Sequence, residues 1–525
     1  MGRGGVTGTK YVAAAGGAIF AALLVGLTSS AGSPLVDSSS VAGAPDRPAP
    51  QRPSFYYVSP HGNDRAGVGT RSRPWRTLAK ACASTPGRAG HTIRLLAGVY
   101  DETVTCGLPC ATSLRGAGAA STTVRGTADP LVSLRNCMGQ GNRQTISRLL
   151  LDGQDRQAGV FGLRVFRVRG LTVERLVAQG FRGPQDAGGG AVDIHGAWNL
   201  DLGHSTLRNS GNANANTCSG TLALGEIHDS RVHDLAISDD QAYGIKASTQ
   251  GVARRSSMSN VDFSNLDVRV LSDTCARWTT LAFELFRVDA VNVTIRNSRF
   301  NRVLSLISDG GALKRNYRYR VHHNLFTIPS GHYALELNAH SSVVDHNYFD
   351  GGFYAVAAFA RSSRSDNTIH HNVFDNQTGP TAAMHMTGGM RNAGFYNNTI
   401  VLRQPSWRDG VFSLGEAVGY AGGTSRIRNN LFVSTHPIGD KLGLGLGSSL
   451  IDRNGFFNIA VRGTNPVTAD PRLPLAGAFP RAYIPPRGSP TIDAGVVIRG
   501  ITDGHSGAAP DLGAFDRGTW SVGPR

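Results

Sequence analysis

A five-residue phrase recurs along the C-terminal half of the chain and constrains the fold more than any other feature. It reads His322-His323-Asn324-Leu325-Phe326, then Asp345-His346-Asn347-Tyr348-Phe349 and His370-His371-Asn372-Val373-Phe374. Tyr396-Asn397-Asn398-Thr399-Ile400, Arg428-Asn429-Asn430-Leu431-Phe432 and Asp452-Arg453-Asn454-Gly455-Phe456 complete the series. Successive Asn residues are 23, 25, 26, 32 and 24 positions apart. A period in this range marks a solenoid, in which each repeat buries its apolar face only against its neighbours. Upstream of each Asn lies a short apolar strand, as in Leu281–Phe286, Leu304–Ser308, Tyr333–Asn338, Ala355–Phe359, Ala382–Thr387 and Val411–Leu414. Val160–Val165, Ala191–His195, Thr221–Leu224 and Tyr243–Ala247 extend the pattern backwards. These segments alternate with period two and show no helical heptads, so they read as strands.

Equivalent strands stacked at about 4.8 Å place one Asn above the next. There each amide can bond its neighbour and the turn backbone, while the following Phe fills the interior. The expected fold is all-β: a single right-handed parallel β-helix. The 66 Gly residues suit many tight turns, and the apolar fraction of 40% supplies a core.

Arg3 and Lys10, the apolar run Tyr11–Leu27 and the small residues Ser29-Ser30-Ala31 read as an export signal over residues 1–31. An uncleaved membrane anchor is the alternative. Residues 32–54, with Pro34, Pro45, Pro48, Pro50 and Pro53, read as a linker. The β-helix with its caps is assigned to 55–518 and a tail to 519–525. The expected location is therefore extracellular, with no stable membrane insertion once the signal is removed, and the expected state is a monomer. Six cysteines, Cys82, Cys106, Cys110, Cys137, Cys218 and Cys275, suit disulfides in an exported chain and allow 15 pairings. Cys106 and Cys110 are close enough in sequence to pair, and Cys218 and Cys275 could staple stacked loops. Net charge is +16, or +14 without residues 1–31, which favours an anionic partner such as a uronate polymer. No nucleic-acid-binding module is present.

Tyr56-Tyr57-Val58-Ser59-Pro60-His61-Gly62-Asn63-Asp64, Gly69-Thr70, Arg73-Pro74-Trp75-Arg76-Thr77-Leu78 and Leu96-Ala97-Gly98-Val99-Tyr100 resemble the entry segment of pectate-lyase-like β-helix proteins. Asp470-Pro471, Ser489-Pro490-Thr491-Ile492-Asp493-Ala494-Gly495 and Pro510-Asp511-Leu512-Gly513-Ala514-Phe515 resemble their exit segment. The resemblance implies a secreted carbohydrate-active protein, in most cases a polysaccharide lyase or glycoside hydrolase. Thr77–Ser84 is expected to form a short helix that plugs the first coil. Asp239-Asp240 matches the paired aspartates of polygalacturonases, whose Gly-His-Gly and Arg-Ile-Lys motifs are missing here.

Alternation selects the side chains that leave the stacked sheet. With Leu335 and Leu337 inward, Glu336 faces out; Glu284, Lys246 and His385 follow by the same rule. Asp193 and His195 flank the inward Ile194, and Asp309 ends a strand between the two Glu-bearing coils. The expected catalytic set is Lys246, Glu284, Asp309, Glu336 and His385. Asp193, His195, Tyr243, Tyr333, His340, Arg361 and Glu416 are the expected substrate contacts. Lys246 or His385 suits the base of a lyase, which removes the proton beside a uronate carboxylate. Glu284, Asp309 and Glu336 suit calcium, which prefers oxygen ligands. A carboxylate pair on the same face suits a glycoside hydrolase instead, and a non-catalytic glycan-binding solenoid is the third reading. The histidines before each Asn repeat with the scaffold and read as a structural ladder.

Overall fold

The structure is a computed structural model. It describes residues 54–525 apart from 140, 157–160, 183–189, 212–218, 240–242, 249–255, 272–280, 287, 308–315, 330, 359–365, 380, 387–391, 405–409, 415–424, 445–448 and 517. The chain divides into Met1–Gln51 and Arg52–Arg525. The first unit, with the expected export signal and most of the linker, lies outside the described residues.

Every strand pairing among the described residues is parallel, and each strand pairs with its equivalent one coil away. The strands form three columns. The first runs through Leu163–Arg169, Val192–Trp198, Gly220–Leu224, Tyr243–Ser248, Leu281–Phe286, Val303–Ile307, Leu335–Leu337, Val356–Ala358, Thr381–Met386 and Gly410–Leu414. The second contains Val288–Arg296, Tyr317–His322, Val343–Asp345 and Thr368–His370, and the third Leu325–Ile328, Tyr348–Gly351 and Val373–Asp375. In the N-terminal half, strands such as Ile227–Asp239 and Ser256–Val270 run through both the second and third columns. The architecture is thus the parallel β-helix expected from the repeat.

The corner between the second and third columns explains the recurring phrase. The second residue of the phrase adopts left-handed backbone, with φ of +56° at His323, +54° at His346, +52° at His371 and +47° at Asn397. Asn and His enter this region more readily than most side chains. The next residue is the repeated Asn, and it is fully buried. Asn347 Oδ1 accepts from both the backbone N–H and the side-chain amide of Asn324 at 3.0 Å. The same double bond links Asn347 to Asn372, Asn372 to Asn398, Asn398 to Asn430 and Asn430 to Asn454. Each amide also donates to a carbonyl of the previous coil, such as Asn347 Nδ2 to Val321 at 2.8 Å. Groups that a buried bend would leave unpaired are therefore satisfied. The Phe two residues on turns inward, and Phe326, Phe349 and Phe374 stack at 4.7 and 5.0 Å.

The histidines form a ladder on the outside of this corner. His323, His346 and His371 stack in near-parallel pairs at 5.0 Å. Nδ1 atoms of His322 and His323, and of His370 and His371, lie 2.8 Å apart in hydrogen bonds. Trp520 packs edge-on against His346, and Gly523 N–H donates to His323 O, so the C-terminal residues cover the stack.

A helix, Leu78–Ser84, plugs the first coil with Leu78, Ala81 and Cys82 buried. Thr77 caps it by accepting from Lys80 N–H, and the buried Glu102 accepts from Leu78 and Ala79 N–H. Two disulfides join Cys82 to Cys106 and Cys110 to Cys137. Cys106 does not pair with Cys110, because stacking brings together residues about one coil apart: the partners are 24 and 27 positions distant. Cys218 and Cys275 lie outside the described residues.

Candidate functional site

The outward side chains of the first column fall into one row. Pairing places Arg164 beside Asp193, Asp193 beside Ala223, and Ala223 beside Lys246. The row continues from Lys246 to Glu284, Ser305, Glu336, Ala357 and His385. Lys246, Glu284 and Glu336 therefore share a flank, as alternation requires. Lys246 and Glu284 stand on adjacent coils, while Glu284 and Glu336 are two steps apart, about 9.6 Å at the backbone.

The row was expected to face solvent, and over these coils it does not. Glu284 is 8% exposed and Glu336 4%. Leu281–Leu285, Gly220–Leu224 and Leu335–Leu337 are buried on both faces. Tyr243, Leu281, Val303 and the half-buried Tyr333 pack together as a second, outer apolar cluster. Part of the outward side of the column is thus a packed layer.

The two glutamates sit in different surroundings. Glu336 is firmly held: Ser305 Oγ donates to Oε2 at 2.7 Å, Tyr333 OH to the same oxygen at 3.1 Å, and Asn338 Nδ2 to Oε1 at 2.9 Å. Among the described residues, the close charge on Glu284 is Lys246 Nζ at 3.8 Å from Oε2, and that buried oxygen accepts no hydrogen bond. Lys246 Nζ also lies 5.2 Å from the Tyr243 ring centroid. Burial pushes both carboxyls above their ordinary range; Lys246 partly offsets this for Glu284, and the three donors partly offset it for Glu336. Burial likewise raises the Tyr243 and Tyr333 phenols, which stay protonated. The Lys246 and Glu284 side chains keep 14% and 10% exposure.

Two coils nearer the N-terminus a separate group forms. Asp193 is buried, with Arg164 Nε at 3.1 Å and His195 Nε2 at 2.7 Å. Ala223 separates it from Lys246, so Asp193 and His195 do not join the glutamate pair. His340 lies in the bend leading to the second column, where its ring stacks on Tyr317 at 5.3 Å. The backbone of His385 takes its place in the row, but its side chain lies outside the described residues, as do Asp309, Arg361 and Glu416. Sequence reasoning missed Ser305, Asn338 and Arg164. Ser305 was within reach, since it alternates with Leu304 and Leu306.

Of the three residues expected to bind calcium, Asp309 is outside the described residues. Glu336 accepts three hydrogen bonds, and Glu284 faces Lys246 Nζ at 3.8 Å.

No family model matches the sequence, and no curated protein matches it. Among solved structures the chain is similar to a pectate lyase, at 15% identity over 88% of this chain and 96% of that chain, with a TM-score of 0.36. It is also similar to the A-module of a mannuronan C-5 epimerase from Azotobacter vinelandii, at 13% identity over 75% and 94% of the two chains, with a TM-score of 0.38. A rhamnogalacturonan lyase is similar at 13% identity over 72% and 87%, with a TM-score of 0.33. Likeness at this level concerns the fold alone.

Proposed function

We propose that this chain is a secreted enzyme that cleaves an acidic, uronate-containing polysaccharide by β-elimination at Lys246 and Glu284. One observation carries the reading: a buried carboxyl oxygen of Glu284, with no hydrogen bond among the described residues, stands 3.8 Å from the Lys246 amine. A buried polar atom left unpaired is costly, and such costs cluster where chemistry is done. Burial pushes the Glu284 carboxyl toward its protonated form, which places a proton donor beside the Lys246 amine.

In the proposed reaction the pair supplies both proton transfers. Lys246 takes the proton from the carbon next to the uronate carboxylate. The released electron pair forms the carbon–carbon double bond, and the bond to the glycosidic oxygen breaks. Glu284 gives its proton to that oxygen. The pair ends as ammonium and carboxylate, and proton return from Lys246 to Glu284 resets it. Glu336, also pushed toward its protonated form, presents the substrate carboxylate with a neutral group rather than a second negative charge. The positive net charge of +16 favours an anionic polymer. Two disulfides among the described residues suit an oxidising compartment. No helix among the described residues is long and apolar enough to cross a membrane.

The test is incubation with a panel of uronate polymers. Unsaturated, ultraviolet-absorbing ends are expected, with loss of about 100-fold or more in Lys246→Ala. Shortened chains without unsaturated ends would reject elimination. Such products would favour a second reading, a glycoside hydrolase using Glu284 and Glu336, whose two-coil spacing is near the upper limit for inversion.

A further inference from the structure

We propose that His204, His233 and Asp234, on the second column and its corner, form a binding site for a zinc-class divalent ion. The site is separate from the row of Lys246 and Glu284, and it does not depend on the reaction proposed there.

The geometry comes from stacking. Gly203 pairs with His233 and Ser205 with Leu235 on adjacent coils. His204 and Asp234 therefore occupy equivalent corner positions, both in left-handed backbone at φ +49°. One potential ligand atom from each of His204, His233 and Asp234 lies within 4.8 Å of the other two. Asp234 Oδ2 is 2.6 Å from His233 Nδ1 and 3.7 Å from His204 Nδ1.

Three further features point to a built site. Asp201 Oδ1 bonds His233 Nε2 at 2.7 Å, leaving Nδ1 directed at Asp234. A carboxylate on the far nitrogen is how metal-bound histidines are usually oriented. Asp201 is held in turn by Arg231 Nη2 at 2.7 Å. Asn265 Nδ2 donates to the other Asp234 oxygen at 3.0 Å, which fixes that carboxylate. Gly203 makes room: a Cβ there would come within 2.5 Å of the His233 ring.

Two imidazole nitrogens and one carboxylate oxygen are the donor types zinc accepts, with a fourth position open to solvent beside the exposed His204. Calcium and magnesium prefer all-oxygen surroundings and do not match this set. Binding replaces the proton between His233 Nδ1 and Asp234 Oδ2, which leaves to solvent. The ion then clips two successive coils together.

The experiment uses the full chain after chelator treatment, with zinc chloride titrated by calorimetry and followed by thermal melting. One saturable equivalent and a rise of several degrees in Tm are expected, with no such rise in calcium chloride. His204→Asn keeps a residue suited to the left-handed corner, and it should fold but lose that equivalent. Asp234→Asn should lose it as well. Asp201→Asn should weaken binding about 10- to 100-fold. Absence of saturable zinc uptake by the unaltered chain would overturn the proposal. Equal uptake by His204→Asn and the unaltered chain would do the same, since other histidines would then hold the ion.

Discussion

Glu284 and Glu336 occupy equivalent places two coils apart, yet three donors hold one and a single amine faces the other. This difference predicts opposite responses to substitution. Glu284→Gln removes a proton donor and leaves the fold intact: turnover should fall at least about 100-fold, with Tm within a few degrees of the unaltered chain. Tyr333→Phe removes one of three hydrogen bonds to Glu336, so denaturant unfolding should show a loss of about 0.5–1.5 kcal/mol. A large stability loss in Glu284→Gln would mean that the Lys246 pair is structural. At this scale the sequence revealed which side chains share a row, because strand alternation fixes the face. It did not reveal their burial, since the outer cluster of Tyr243, Leu281, Val303 and Tyr333 depends on contacts between coils rather than on any one strand.

The corner between the second and third columns is the element whose chemistry was most legible. Asn347, Asn372, Asn398, Asn430 and Asn454 bond as their register requires, because a 23–32-residue spacing brings the same turn back one coil later. Asn372→Ala strands partners on both neighbouring coils, so a loss of about 2–4 kcal/mol is expected in denaturant unfolding. The outer histidines add a pH dependence. Burial pushes His322, His323 and His370 down to about 4, and His371 well below its ordinary value. A histidine whose pKa is lower in the folded chain binds protons more readily when unfolded, so stability is full above about 6.5 and falls as pH drops toward 4. Thermal melts across that window should show Tm falling with acid. His371→Asn, which also suits left-handed backbone, should make the fall shallower; an unchanged slope would remove the stack as its source.

For the whole molecule, stability is largely a sum of coil-to-coil contacts, because each coil meets its neighbours, with the C-terminal residues adding contacts across the coils of His323 and His346. The Cys82–Cys106 and Cys110–Cys137 bonds and the Leu78–Ser84 plug act on the first coils alone. Replacing Cys82 and Cys106 by Ser should therefore speed hydrogen exchange over residues 55–137 and leave 320–460 unchanged. Uniform acceleration along the chain would show that the molecule opens as one unit. The pairing of these cysteines was not legible in the sequence, since nearness along the chain suggested Cys106 with Cys110, whereas nearness in space follows the coil period.

Stacked register also means that separation along the axis is counted in whole coils, whatever the loop lengths between them. The 32 residues from Asn398 to Asn430 advance the helix by one step, as do the 23 from Asn324 to Asn347. Loops can lengthen freely at the rim, but the gap between Glu284 and Glu336 can change only by a full increment of about 4.8 Å. A reaction on this face inherits a ruler with coarse marks, and finer adjustment falls to side-chain length.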